Sequence, residues 1–349
     1  MVGDTEYTAH RSENGAGGEF RLRLRPSVFL PLIVFLGLVV HLLLPRITVL
    51  DQSLHVLQSL SVGVIGLAIL AQATSYVANG ALLRAIVTSS RERIPLARAV
   101  AIVMAASTVC LVAGGIVGYG AAVFEWTRRS GTSRQTAAIA AWLPSVFDAA
   151  ALVVVALVSA MALLRGHRLP TSAISALSIV IALLVSVIAA SFYAISRPSR
   201  FAVLFRAARR IPLLRRRMPD DAEGLEQRAG AVSAALRGRT GVEAASCALL
   251  NLVFDMATLA LVFVAARHPV SPAVLIAGYG VPLLLGRFSF LPGGIAVVEI
   301  GMTALYTALG VPSQVAIVAV LTYRLISFWM PTLAGIPVAV ALQVSRPQP

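Results

Sequence analysis

Long apolar runs, separated by short arginine-bearing gaps, fill most of this chain, and they are too long for strands or for the helices of a soluble core. Six of them, at about 27–44, 54–79, 136–164, 171–195, 241–266 and 312–344, have the length of full membrane crossings. A helix needs roughly 20 predominantly apolar residues to cross the hydrocarbon layer. Two further stretches, about 99–130 and 272–310, are equally apolar but carry glycine breaks near their middles. The breaks are Gly114-Gly115 with Gly118-Tyr119-Gly120, and Pro292-Gly293-Gly294. The pattern predicts an all-α polytopic membrane bundle: one integral membrane domain over 27–344, a polar tail at 1–26 and a short tail at 345–349.

The arginines decide how the two broken stretches run. If 99–121 crossed fully, Arg128, Arg129 and Arg134 would fall outside, against the bias of basic residues toward the cytoplasm. A re-entrant hairpin keeps them inside with Arg91, Arg93 and Arg98. The loop 197–240, which carries Arg200, Arg206, Arg209, Arg210 and Arg215 to Arg217, then also lies inside. Reading 272–310 as a second hairpin from the opposite face leaves Arg346 and both termini cytoplasmic, with Arg165 and Arg168 as the exceptions. About six crossings plus two oppositely oriented hairpins result. A weak internal repeat agrees: Gly131-Thr132-Ser133-Arg134-Gln135-Thr136-Ala137 resembles Gly310-Val311-Pro312-Ser313-Gln314-Val315-Ala316, each opening a long helix after a broken stretch. Opposed hairpins meeting near the midplane are an arrangement used by inverted-repeat transporters.

Composition narrows the class. The chain is 58% hydrophobic and 13% charged, with a mean hydropathy of +0.85, which excludes both a soluble domain and disorder. The net charge is +14 and every basic residue is arginine, a codon-usage signature of a GC-rich genome. The basic residues flank spans without any nucleic-acid reader motif, so they mark topology or an anionic lipid surface. Cys110 and Cys247 have no metal-ligand spacing. No small-residue cleavage site follows the first apolar run, which ends at Pro45-Arg46, so that run is expected to remain as an uncleaved helix.

Four charges fall well inside predicted spans: Asp148, Asp255, Glu299 and Arg324. Each costs roughly 2.5–3.5 kcal/mol at a helix centre, so they are expected to pair, to be neutral, or to face the interior. Glu299 follows the Pro292-Gly293-Gly294 break by about two turns. A helix starting there would aim free N–H groups and a positive dipole end at an anionic group such as phosphate. Glu299 is a candidate to bind a cationic headgroup, to carry a proton, or to pair with Arg324 and merely lock two helices. Arg324 is a candidate for a bidentate phosphate contact. Asn251 and Asp255 share a helix face at i, i+4, as a cavity lining or as interhelical glue. Asp148 lies four residues beyond Pro144, where a kink would satisfy it. Arg287 is placed to reach either a cavity or the interface. Trp126, Trp142 and Trp329 read as interface or packing residues.

No phosphate-binding Gly-Lys-Ser loop, His-Glu-x-x-His zinc motif or nucleophile elbow is present. No catalytic constellation, metal or cofactor is therefore expected, and the chain is read as a non-enzyme.

The run Pro292-Gly293-Gly294 to Glu299, the next helix with Arg324, Phe328-Trp329 and Pro331, and then Gly335, resemble the lysylphosphatidylglycerol synthase transmembrane region, a flippase-like membrane family. The resemblance covers essentially 27–344; the family's usual pattern has glycine where this chain has Ala296. Its bifunctional members join a lipid-translocating membrane half to a soluble aminoacyltransferase domain. The sequence ends at Pro349 without that domain, so the resemblance implies the translocating half. The expectation is a lipid translocase in a bacterial plasma membrane. It would move a phospholipid or polyprenyl-type headgroup, anionic or aminoacylated, past Gly293, Gly294, Glu299, Arg324, Asp255, Asn251 and Arg287. A separate lipid-modifying synthase is a conceivable partner. The alternatives are a secondary transporter of a small anionic metabolite, and an accessory subunit or membrane enzyme of envelope synthesis.

Overall fold

The structure, a computed structural model, describes residues 56–112, 115–166, 238–287 and 292–344, with four isolated positions between 182 and 189. The predicted spans 27–44 and 171–195, both polar tails and almost all of the loop 197–240 lie outside the described residues.

Every regular element among the described residues is helical. In chain order they are α1 (Val62–Ser89), α2 (Leu96–Val112), α3 (Ile116–Arg129), α4 (Arg134–Ala140), α5 (Leu143–Gly166), α6 (Arg239–Ala265), α7 (Pro272–Arg287), α8 (Val297–Ala308), α9 (Ser313–Arg324) and α10 (Met330–Val344). A 3₁₀ turn at Pro292–Gly294 precedes α8, and a π-helical turn at Leu325–Trp329 joins α9 to α10. Four stretches are long and apolar enough to cross a bilayer: Val62–Ser89, Arg134–Met161, Arg239–Ala265 and Ser313–Val344. The span expected at 54–79 instead runs Val62–Ser89, because Asn79-Gly80 does not stop the helix. Gly80 sits where α2 approaches so closely that a Cβ would lie 2.4 Å from the Val100 side chain.

The two glycine-broken stretches are helical hairpins. α2 and α3 pack on each other across Gly115, and α7 and α8 do so across the 3₁₀ turn. At about 1.5 Å per residue, even the 17 residues of α2 fall short of a hydrocarbon core of about 30 Å. The first break is confined to the segment between Val112 and Ile116; Gly118-Tyr119-Gly120 continues within α3.

Two halves follow the same order: a long helix, a broken hairpin, then a long apolar stretch with an interruption, after seven residues in the first half and after twelve in the second. The two segments matched in the sequence sit at like places in this order. Gly131 and Gly310 occupy the same place after their hairpins with φ of +86° and +91°, and the next helices begin at Arg134 and Ser313. The halves interlock. α1 lies along α6, α2 packs on α10, and α7 packs on α5. The two crossed contacts use the same device, a hydroxyl donating to a backbone carbonyl beside a glycine. Thr108 Oγ1 donates to the Thr332 carbonyl at 2.6 Å beside Gly335, and Ser159 Oγ donates to the Ile276 carbonyl beside Gly280. Small residues with hydroxyl-to-carbonyl bonds are what holds helices together where lipid supplies no hydrophobic drive.

Apolar packing gathers around each hairpin. Around the second it includes Phe263, Tyr279, Met302, Tyr306 and Tyr323, with the Phe263 and Tyr306 rings edge to face at 4.9 Å. Around the first it includes Leu83, Ile102, Val109, Trp126 and Leu342.

Candidate functional site

On α1, Gln72, Ser75, Tyr76 and Asn79 recur at i, i+3, i+4 and i+7, a polar stripe on an otherwise apolar helix. On α6, Asn251 and Asp255 share a face as expected. These stripes face each other across the long α1–α6 contact and open onto a cavity of about 680 Å³. Asp148 of α5, Tyr279 and Arg287 of α7, Gly115 and Tyr119 at the first break, and Gly293 and Gly294 at the second complete its wall. A polar cavity thus lies where both hairpin breaks meet.

Two hydrogen-bonded sets line it. In the first, Ser75 Oγ donates to Asn251 Oδ1 at 2.7 Å, and Asn251 Nδ2 donates to Asp148 Oδ1 at 3.2 Å. Asp148 is therefore satisfied by Asn251, and no Pro144 kink is needed to serve it; Arg287 adds its field to the same carboxylate. In the second, the hydroxyls of Tyr279 and Tyr323 both donate to Asp255 Oδ2, at 2.5 and 2.6 Å, and the buried Gln72 side chain lies beside the same carboxylate.

Behind the wall sits the acid–base couple. Arg324 Nε donates to Glu299 Oε1 at 2.7 Å, and its Nη2 donates to the Gly293 carbonyl at 2.9 Å. The guanidinium carbon lies 4.5 Å from the centre of the Phe328 ring. Glu299 and Arg324 are only 7% and 5% exposed, and neither is on the cavity lining. The pair is a clasp that ties the 3₁₀ turn, α8 and the π-helical turn together. Glu299 also stands in the first turn of α8, so that helix end already has a carboxylate. The break needs its glycines: Gly293 and Gly294 have φ of +68° and +67°, and a Cβ on Gly293 would lie 2.3 Å from the Phe328 ring. Ala296 is held at φ +71°, a conformation that favours glycine.

The structure thus brings Asp255, Asn251, Arg287, Gly293 and Gly294 onto one cavity and places Glu299 and Arg324 together behind it. Sequence reasoning missed Gln72, Ser75, Tyr76, Asn79, Tyr279 and Tyr323. The stripe on α1 was visible as a helical period, but it sat at the end of a run read only for its apolarity. Nothing in the local sequence marks the two tyrosines.

The fold and site define a polytopic helical membrane protein with a polar cavity at broken helices. The model of the family "Lysylphosphatidylglycerol synthase TM region" matches residues 28–335, and the chain belongs to that family. It is similar to three proteins named UPF0104 membrane protein. The one from Pyrococcus horikoshii is 42% identical over 53 residues, covering 15% of this chain and 16% of that protein. The one from Methanothermobacter thermautotrophicus is 37% identical over 87 residues, 25% and 26% of the two chains. The one from Methanocaldococcus jannaschii is 31% identical over 99 residues, 28% and 30% of the two chains. The matched segments cover under a third of each of these relatives.

Proposed function

We propose that the chain is a lipid translocase of the plasma membrane, not an enzyme, and that lipid headgroups cross through the cavity between the hairpins. The observation that carries this reading is a chamber of about 680 Å³ in an apolar bundle, lined by polar side chains among apolar ones and walled by both interrupted helices. A lipid crossing a bilayer needs shelter for its headgroup alone, since its tails stay in hydrocarbon. At the cavity, Val117 is 61% exposed, and exposed Arg287 also lines it. An apolar sill beside a guanidinium suits an acyl chain joined to a phosphate. The family's description as the membrane region of lysylphosphatidylglycerol synthase supports a lipid substrate. In this reading α2–α3 and α7–α8 are re-entrant hairpins from opposite faces, both termini are cytoplasmic, and the crossed packing of the halves lets one rock against the other.

The test is the full chain reconstituted in liposomes containing headgroup-labelled phosphatidylglycerol, with a membrane-impermeant quencher added outside. Protein-containing vesicles should lose inner-leaflet signal faster than empty ones, and Arg287→Ala with Asp148→Asn should abolish the gain. Equal rates with and without protein would count against translocation of this lipid. Protein-dependent uptake of a water-soluble phosphorylated metabolite, without lipid movement, would favour the metabolite-transporter alternative.

A further inference from the structure

At the cavity and the ion pair behind it, three described carboxylates, Asp148, Asp255 and Glu299, stand with two guanidiniums, Arg287 and Arg324. Glu299 is matched by Arg324 at 2.7 Å, and Asp148 has the field of Arg287. Among the described residues no guanidinium bonds Asp255: it feels the field of Arg324, but that side chain directs its Nε and Nη2 to Glu299 and Gly293, so one guanidinium serves two carboxylates. The Tyr279 and Tyr323 hydroxyls stabilise the carboxylate as neutral donors, but they do not cancel its charge. An uncompensated charge in a low-dielectric interior is strongly disfavoured.

A second observation points the same way. Gln72 is 3% exposed, lines the cavity and reaches Asp255, yet its amide oxygen is buried without a hydrogen-bond partner among the described residues. A buried acceptor beside a carboxylate that no guanidinium bonds is suited to a donor or a cation. A half-turn of the amide would exchange its N–H for that oxygen at the carboxylate, an interchange of nearly isosteric ends.

We infer that the cavity takes up one monovalent positive charge at Asp255, as a proton or as an alkali cation, with the Gln72 amide oxygen as its second partner. As a proton, it moves from cavity water to the carboxylate; the new O–H donates to Gln72, and no other bond breaks. As an alkali cation, it exchanges part of its water shell for the carboxylate and amide oxygens. Either form neutralises the cavity and fills the orphaned acceptor. This deepens the translocase reading by giving the same chamber a coupling ion, and it rests on that reading for its role.

Groups facing Asp255 bear on any pH effect. They are Tyr76 on α1, Cys110 on α2, Tyr119 on α3, Asp148 on α5, Tyr279 and Arg287 on α7, and Tyr323 and Arg324 on α9. The test therefore compares variants. Thermal unfolding of the full chain in detergent is followed from mildly alkaline to mildly acidic pH, and in sodium chloride against choline chloride at equal ionic strength. The wild-type midpoint should rise with acidification if the charge is a proton, or with sodium if it is an alkali cation. Asp255→Asn should lose that response and unfold at or above the neutralised wild type. Gln72→Met keeps the charge but removes the oxygen, so it should weaken the sodium response. Should Asp255→Asn fail to fold, calorimetric titration of wild type and Gln72→Met with sodium chloride, and infrared detection of a carboxylic acid on acidification, decide the question on folded protein. A wild type responding to neither ion, or an Asp255→Asn response equal to wild type, would overturn the inference. None of these readouts uses lipid movement, so that failure would leave the translocase reading standing.

Discussion

Arg324 meets Glu299 through an Nε–Oε1 bond of 2.7 Å while the same guanidinium holds the carbonyl of Gly293, so one side chain fixes both the break and the helix that follows it. Truncating one member of a buried ion pair leaves the other uncompensated, a loss of about 3–5 kcal/mol. Arg324→Ala should therefore lower the unfolding midpoint sharply. Glu299→Gln, which keeps an acceptor, should cost less. Arg324→Lys should fall between, because a point charge cannot serve two acceptors and lie on the Phe328 ring in the same way. A wild-type midpoint in Arg324→Ala would remove the clasp from the account.

Opposite signs are expected at two positions within one turn of chain. Gly293→Ala forces an L side chain into the left-handed region and into the Phe328 ring. Ala296→Gly relieves a non-glycine residue at φ +71°, worth about 1–2 kcal/mol. Calorimetry should show the first variant less stable than wild type and the second more stable. Gly310→Ala is the control, since its φ is +91° but open space surrounds it; it should cost less than Gly293→Ala. Equal losses at 293 and 310 would refute the ring contact.

The Tyr279 and Tyr323 hydroxyls share one acceptor atom, Asp255 Oδ2. Hydrogen bonds to charged groups contribute roughly 1.5–3 kcal/mol each. Tyr279→Phe and Tyr323→Phe should each destabilise, and the double variant should depart from the sum because the two donors compensate for one another. Strict additivity in a double-mutant cycle would mean that the two bonds do not share an acceptor in the folded protein.

Topology can be read with single cysteines in a background carrying Cys110→Ala and Cys247→Ala. Arg91→Cys and Arg128→Cys flank the α2–α3 hairpin and should label from the same face of the membrane. His268→Cys and Gly310→Cys flank the α7–α8 hairpin and should label from the other. Labelling of positions 91 and 128 from opposite faces would show that the first hairpin crosses.

Much of the plan was legible before folding was considered. Helical spans follow from the length of apolar runs, and both breaks follow from glycine and proline, because a backbone that leaves the helix in hydrocarbon needs special residues and shelter. The four intramembrane charges announced themselves by their cost, and Arg324 was the evident partner for an acid. What the sequence left open was whether that acid would pair, carry a proton or meet a headgroup. Glu299 was the acid named for it, as one of three possible roles, and the approach of α9 to the second break makes that pair.

What the chain settles on its own is thus its solvent, its helices and the places where they break, since these depend on local chemistry and the energetics of hydrocarbon. The folded arrangement alone decides that Gln72, Asn251, Asp255 and Tyr279 share one chamber while the Glu299–Arg324 couple is shut behind it. That partition comes from interlocked halves, with α1 along α6 and each hairpin against the other half's long helix. Contacts of such sequence separation leave no local periodicity, so no window of residues carries them.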